Sequence, residues 1–590
     1  MQHGGSRSGR SPFAVGRRHL GGSRHRQIGA REGRAYLTAV NTAPARIIFL
    51  GGLGEIGRNM TVVELGGRLL VIDAGLSFPS DEMFGVDLVI PDFSYVRDRA
   101  ESCDGIVLTH GHEDHVGALS WLLKEVNVPV YGTPLTLGMA RKRLDSAGLK
   151  ADLIPIEAPG KLTIGPFRCE TLAVSHSIPD AISLVIDTDQ GRILYTSDFK
   201  LDQIPEAGRR AGIEAFKGVA ALGVDLMLSD STNADRAGRT PSEAVVNEAL
   251  AEIFAGARRK IIVACFASHL HRIQQVCERA EASGRRVAFV GRSMVANVEV
   301  GLELGCLSFS PGTIVDVAEL GRHDPAEAVI VCTGSQGEPL SALSLIASGE
   351  HKTVSVEPDD VVILSASPIP GNESAVHRVL NALYRTGAEV FHSGNSSVHV
   401  SGHASSDELA ELASVVRPRN FVPMHGEYRH LVLHSRIAED SGIPKGNISI
   451  VEDGDVLELS GGRIRRGQQV RAGMVLIDGL GVGDVGPIVL RDRKTLAEDG
   501  ILICVVTIDS QHGEILAGPD LISRGFTYHG ESRELLEEAA GRVAEALQEL
   551  SAQGVTEWPT IKKACRHSLG EFVWKRTRRR PMILPIIMEI

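Results

Sequence analysis

The chain has 590 residues, 43% of them hydrophobic and 23% charged, which is ordinary for a globular protein and long enough for two to four domains. A net charge of −11 and an aromatic content of 4% exclude a wholly basic nucleic-acid glove and a broad base-stacking platform. No stretch approaches the roughly 18 apolar residues of a membrane span, and eight scattered cysteines without a CxxC pair exclude a disulfide framework or zinc ribbon, leaving a reducing cytoplasm as the simplest setting.

In chain order, residues 1–43 form an Arg/Gly-rich extension with eight arginines, no lysine and one acid, Glu32, up to Ala35. Such a stretch buries no core and is expected to be disordered. It has no apolar region of a secretory signal, although an Arg-rich, acid-poor leader also fits organellar transit. Without its positive charge the remainder carries about −18, so any nucleic-acid site must be local.

Order begins at Arg46–Leu50, followed by β-like runs Thr61–Leu65 and Arg68–Asp73 joined through Gly66-Gly67. Gly52-Leu53-Gly54-Glu55-Ile56-Gly57 matches G-x-G-x-x-G, yet a strand rather than a long helix follows it, so the dinucleotide-binding reading fails. Strand patterns continue through Gly105–Thr109, Phe167–Val174, Ala181–Asp187 and Arg192–Thr196. From Pro241 the texture becomes alternating: helix Ser242–Ala255, strand Lys260–Cys265, helix His269–Ala282, strand Arg286–Val290, then apolar runs Ala328–Thr333 and Asp360–Ser365. That alternation predicts a parallel α/β unit inserted into the first fold. A β-rich stretch follows over Ile448–Leu490. The end reads as strand Ile501–Asp509, amphipathic helix Glu531–Gln553, a helix near Thr560–Lys575 and strand Met582–Ile590.

The decisive segment is Thr109-His110-Gly111-His112-Glu113-Asp114-His115, an H-x-H-x-D-H pattern at a strand end. His110 and His112 can grip one ion from a loop, while Asp114 and His115 open the next helix and face a second; imidazole and carboxylate suit Zn²⁺ or Mn²⁺. His176, Asp198 and His425 each follow an apolar run, where loops gather over one sheet edge. Singly, each also reads as a polar residue that ends a strand.

This order of Asp73, H-x-H-x-D-H, His176 and Asp198 resembles the metallo-β-lactamase superfamily. The inserted unit, with Ser229-Asp230-Ser231-Thr232-Asn233, His399-Val400-Ser401-Gly402-His403 and His425, resembles its β-CASP nucleases. From Arg46 to Ile590 the chain is similar to the ribonuclease J family, as Gly334-Ser335-Gln336-Gly337-Glu338-Pro339 and Ile477–Asp484 also indicate. Ser197, before Asp198, stands where that family usually has glycine.

The resemblance implies an α/β protein: a metallo-β-lactamase αββα sandwich over 44–240 and 386–465, an inserted β-CASP domain over 241–385, a β-rich linker over 466–498, and a C-terminal α+β association domain over 499–590. It implies two Zn²⁺ (or Mn²⁺) ions, one on His110, His112 and His176, the other on Asp114, His115 and His425, with Asp198 bridging and Asp73 orienting a ligand histidine. Two such ions leave a local charge near +2, lower the pKa of water to roughly 7, and generate a bridging hydroxide that attacks phosphorus. His403, oriented by Asp230, is the candidate for protonating the leaving oxygen. His399, Val400, Ser401, Gly402 and His403 offer backbone-binding groups, and Ser335, Gln336, Gly337 and Glu338 an anion nest for a 5′-monophosphate. Asp478 matches a structural Ca²⁺ position in some relatives.

The expected activity is therefore 5′→3′ exonucleolytic and endonucleolytic cleavage of single-stranded RNA in rRNA processing and mRNA decay, by a cytoplasmic homodimer or homotetramer that associates with other RNA-decay enzymes. Three readings compete: a small-ester hydrolase, which has no use for the inserted unit; a β-CASP DNA nuclease, where His425 tends to differ; and a non-catalytic RNA-binding paralogue, which would have lost ligands.

Overall fold

Apolar strands buried on both faces build two sheets that share one inner layer. The computed structural model describes residues 43–80, 82–202, 212–369, 371–509, 514–526 and 532–590; the extension expected over 1–43 lies outside these but for its last residue. The described chain forms two compact units, one of residues up to 77 with 90–474, the other of 78–89 with 475–590.

In the larger unit an eight-stranded sheet runs Arg463–Arg466, Val456–Ser460, Ala45–Gly51, Met60–Leu65, Arg68–Ile72, Cys103–Val107, Val130–Gly132, Leu153–Pro155. A six-stranded sheet runs Asn420–Met424, Leu226–Asp230, Gly191–Tyr195, Ile182–Thr188, Phe167–Ala173, Gly160–Ile164. Ile47, Phe49, Val63 and Ile72 from the first meet Phe167, Leu184, Ile193, Leu228 and Val422 from the second in one buried cluster. Their outer faces are covered by helices: Leu119–Glu125 and Pro134–Ser146 over Ile48, Val62, Val71 and Ile106, and Ile213–Ala220, Ser406–Val416 and Tyr428–Asp440 over Leu172, Val185, Leu194 and Phe421. The result is the expected αββα sandwich. Leu53–Gly54 is followed by the strand Met60–Leu65 and not by a helix, which removes the dinucleotide reading of the glycine loop.

The inserted unit is a five-stranded, all-parallel sheet in the order Arg286–Val290, Ala328–Cys332, Ile261–Ala264, Val361–Leu364, Glu389–His392. Apart from the edge strand Glu389–His392, its strands are short apolar runs buried on both faces, as a parallel sheet between helices requires. Glu389–His392 completes this sheet, so the insertion runs beyond residue 385; that edge strand is short and polar at both ends, and its pattern gave no signal of its own.

In the smaller unit Ile515–Arg524, Ile501–Ile508 and Met582–Glu589 form a sheet whose inner face, Leu502, Cys504 and Val506, packs with helices Ser532–Ala552 and Trp558–Thr577. The stretch expected to be β-rich also contains a helix, Pro487–Asp499, because Gly486-Pro487 begins a helix with proline in its first turn instead of making a β turn. None of the eight cysteines forms a disulfide, and no helix of the described residues is long and apolar enough to cross a membrane.

Candidate metal centre

Strand ends bring the polar groups together. Arg68–Ile72 delivers Asp73, Cys103–Val107 runs into the Thr109–His115 loop, Phe167–Ala173 leads to His176, and Gly191–Tyr195 to Asp198. Leu226–Asp230 ends on Asp230 and Asn420–Met424 on His425; these two strands and Gly191–Tyr195 are parallel neighbours, so their carboxyl ends coincide. The segment from His110 to His115 turns straight into the short helix Glu113–Val116, which sets the His115 ring against His110 with centroids 4.0 Å apart.

Two nests result, and Asp198 belongs to both. In the first, His110 Nε2 and His176 Nε2 each lie 3.1 Å from His112 Nδ1, with Asp198 Oδ2 at 3.5 Å and 3.6 Å from the two Nε2 atoms. In the second, His115 Nε2 is 3.3 Å from Asp198 Oδ2 and 3.6 Å from Asp114 Oδ2, and His425 Nε2 is 3.2 Å from Asp114 Oδ2.

The hydrogen-bond network assigns the ring protons. His176 Nδ1–H donates to Gly402 O at 2.8 Å and His115 Nδ1–H to Asp73 Oδ2 at 2.8 Å. The Thr109 hydroxyl donates to Asp73 Oδ2, so His110 Nδ1–H donates to Thr109 Oγ1 at 3.1 Å. Likewise the Thr232 hydroxyl donates to Asp230 Oδ1, and His425 Nδ1–H donates to Thr232 Oγ1 at 2.7 Å. On these four rings that proton points outward, and the inward Nε2 is left to accept a cation or a second proton.

His112 Nδ1 lies 3.1 Å from both His110 Nε2 and His176 Nε2, and the one proton it can carry serves only one of them; Asp198 Oδ1 is buried without a hydrogen-bond partner. A divalent cation in each nest would relieve both defects, and the donor set fits Zn²⁺ and Mn²⁺ alike. The site's electrostatics agree. Burial pushes the His110 and His176 rings well below the usual imidazole value and His112 down to about 4, keeping them neutral. Burial also opposes charge on Asp198, but His425, His115 and His110 outweigh it and hold its carboxyl well below the usual range. For His115 and His425 burial works against the proton, yet the surrounding carboxylates, Asp198 foremost, win; His425 is pushed up to about 10. Protons therefore compete with cations for the second nest.

His403 stands beside both nests. Its Nδ1–H donates to Asp230 Oδ2 at 2.8 Å, its Nε2 lies 4.0 Å from Asp198 Oδ2, and its ring stacks on His425 with centroids 5.5 Å apart. Burial would favour the neutral ring, but Asp230 reverses this and raises its pKa. Asp230 is fully engaged, with Oδ1 accepting from Thr232 N and Oγ1, so Asp230 and His403 form a proton-holding pair and not a third cation nest.

The Ser401–His403 turn wraps the first nest. Ser401 Oγ accepts from Asn233 Nδ2, which also donates to His403 O. At Gly402 a Cβ would sit 2.7 Å from His176 Nδ1, so only glycine fits. Val400 is buried, and burial pushes the pKa of His399 down to about 3. In the other expected anion loop Ser335 and Gln336 are buried, and Gln336 spends its amide on Ser367 O and Ile369 N instead of facing a ligand. Gly337 has φ 75° and a Cβ there would strike Ala375, while Glu338 is exposed and its carbonyl accepts from Ser341. Asp478 is ion-paired with Arg493, and among the described residues it joins no group of three convergent His, Cys, Asp or Glu side chains.

Asn59, Thr109 and Thr232 are site residues that pattern reading left without a role. Asn59 Nδ2 donates to Asp114 O at 3.0 Å and lies 3.1 Å from His115 Nε2, which gives the glycine-rich loop of 52–57 its purpose. For Thr109 its adjacency to His110 was the available signal; Thr232 is adjacent to no ligand in the sequence.

Family models match in four segments: the metallo-β-lactamase superfamily over residues 53–224, the ribonuclease J β-CASP domain over 258–383, the Zn-dependent metallo-hydrolase RNA specificity domain over 394–446, and the ribonuclease J C-terminal domain over 488–590. Ribonuclease J2 of Bacillus subtilis (strain 168) is 41% identical over 552 residues, covering 93% of this chain and 99% of its own.

The chain belongs to the ribonuclease J family.

Ribonuclease J of Mycolicibacterium smegmatis is likewise 41% identical over 546 residues, covering 92% of this chain and 97% of the relative. A crystal structure of a protein of unknown function from Enterococcus faecalis V583 shares the fold, with a TM-score of 0.51 over 71% of this chain and 100% of its own at 15% identity. The ribonuclease J β-CASP match covers every strand of the inserted parallel sheet but Glu389–His392, the C-terminal match covers the sheet of the smaller unit and its two packed helices, and the RNA specificity match contains both His403 and His425.

Proposed function

We propose that this ribonuclease J family member is a metal-dependent ribonuclease that degrades RNA from its 5′ end, preferring a 5′-monophosphate, and also cuts internally. The single observation carrying the reading is Asp198, one buried carboxylate shared by two nests of inward-facing imidazole nitrogens with the Asp230–His403 pair at its side. His110, His112 and His176 would hold one divalent cation, Asp114, His115 and His425 the other, and Asp198 both. Bound there, such ions supply Lewis acidity toward a phosphodiester and lower the pKa of water.

The chain's own groups do the rest. Asp73 keeps the His115 proton on Nδ1, away from the nest. Asp230 holds a proton on His403 Nδ1 and favours the doubly protonated ring, from which Nε2–H can pass to a departing 3′ oxygen. The backbone of the Ser401–His403 turn lies beside the same ring and is suited to gripping a neighbouring phosphate. Products would carry 5′-phosphate and 3′-hydroxyl ends. The RNA specificity match over both His403 and His425 favours RNA over DNA, and retention of all seven ligands favours an enzyme over a scaffold.

Association is the second part of the reading. The outer face of the C-terminal sheet exposes Ile522, Leu584, Ile586 and Met588, and we assign it to contact with a second copy.

The test is single-turnover cleavage of one RNA oligomer bearing a 5′-monophosphate or a 5′-triphosphate, using EDTA-stripped and metal-restored protein. Metal-dependent release of 5′-mononucleotides, faster from the monophosphate, is expected. Internal cuts indifferent to the 5′ end would remove the exonuclease part, and no cleavage with metal bound would remove the ribonuclease reading. His403→Ala should slow the single-turnover rate by about 10²–10⁴-fold with metal content unchanged.

A further inference from the structure

We propose that Arg272, carried by the inserted sheet's helix Leu270–Ala282, is a positioning residue for the loop that presents Gly402 and His403 to the metal centre. The proposal rests on the ribonuclease reading above for its catalytic consequence, but not for the clamp itself.

Arg272 has no exposed surface, which is exceptional for a guanidinium and demands that its donors be used. They are. Nε donates to Gln275 Oε1 at 2.8 Å and Nη2 to Glu243. Nη1 donates to Ser365 Oγ and to the carbonyl of Val398. Ser365 Oγ in turn donates to the same Val398 carbonyl at 2.7 Å. One main-chain oxygen is thus gripped by two donors from the inserted unit, immediately before His399. Glu243 supplies the countercharge, and its other oxygen lies 3.5 Å from Lys200 Nζ, two residues beyond Asp198.

The far end of the loop is held separately. Asn233 Nδ2 and Thr240 Oγ1 both donate to His403 O, at 3.0 Å and 2.7 Å. Between the two anchors lies the working part: Gly402 O accepting the His176 proton, and His403 against Asp230. A guanidinium can span Glu243, Ser365 and Val398 at once because its fork is planar and rigid; an ammonium cannot. Arg272 therefore converts the packing of the inserted unit into the setting of a catalytic loop, without touching substrate or ligand.

The test compares the full chain with Arg272→Lys, which keeps the charge opposite Glu243, and Ser365→Ala, which removes one donor and leaves no new buried charge. Hydrogen exchange of the peptide covering 398–403 is measured on metal-loaded protein, alongside kcat and KM for a 5′-monophosphorylated RNA. Expected in both variants is exchange in that peptide faster by about tenfold, with kcat lower by about tenfold or more and KM changed by less than about twofold, since small misplacements of reacting groups are costly. Unchanged exchange in the folded Ser365→Ala protein overturns the clamp, whatever becomes of Arg272→Lys. Faster exchange with unchanged kcat overturns the positioning role. If the parent protein cleaves no RNA, the ribonuclease reading falls and exchange alone decides whether the loop is clamped.

Discussion

Asp73, Ser197 and His425 all take left-handed backbone, with φ of 63°, 55° and 53°. Such conformations cost a non-glycine residue about 1–2 kcal/mol, and they collect where a side chain must be aimed. Asp73 and His425 carry side chains the site uses. Ser197 does not: its hydroxyl is buried without a hydrogen-bond partner, and its task is to turn the chain so that Asp198 enters both nests. Ser197→Gly should therefore stabilise the protein by about 0.5–1 kcal/mol, read as a higher urea midpoint at unchanged metal content; an equal or lower midpoint would show that the turn carries no strain.

The same scale gives a pH prediction. With its carboxylate neighbours His425 holds its proton to about pH 10 in the ion-free fold, against about 6.5 in an unfolded chain. A raised pKa means its stabilising contribution is complete below pH 6.5 and is lost as pH rises through 10. Thermal melts of EDTA-treated protein should fall across that interval, and cation loading at pH 7.5 in weak buffer should release protons. Loading without proton release would contradict the assignment.

Among elements, the turn after Val398 is the most constrained. Gly402→Ala must push its methyl against the His176 ring, 2.7 Å from Nδ1, and displace a nest nitrogen. Loss of about 10²-fold in kcat with weakened metal retention is expected, checked by single-turnover kinetics and metal analysis after gel filtration; full activity would mean that the turn can yield.

The H-x-H-x-D-H loop could be read from the sequence because its members are local and share one turn, and His176, Asp198 and His425 because each follows an apolar strand. Thr232 and Asn59 could not, since their meaning lies in partners 193 and 55 residues away. Gln336 looked like part of an anion loop, but its amide braces the neighbouring segment at Ser367 and Ile369. Strand Glu389–His392 and helix Pro487–Asp499 escaped for local reasons, the one too short and polar to show a period, the other opened by a Gly-Pro pair that equally spells a turn.

For the whole molecule, the C-terminal sheet is apolar on both faces, while helices cover only one. Leu584→Lys with Ile586→Lys places two charges on the open face, where Leu584 and Ile586 are 42% and 41% exposed. Self-association should weaken at least about tenfold, judged by light scattering over a dilution series, as expected when central apolar contacts are lost. An unchanged mass would assign that face elsewhere.

The six-stranded sheet has a further consequence. Leu226–Asp230 pairs directly with Asn420–Met424, although the entire parallel sheet of the inserted unit lies between them in the chain. A ribosome making this protein therefore releases the inserted sheet complete while its host still lacks an outermost strand. Domains fold as units during synthesis, so here the guest can mature before the host. The second nest cannot close until His425 has left the exit tunnel, and an unfinished chain is thereby kept from gathering a full ligand set.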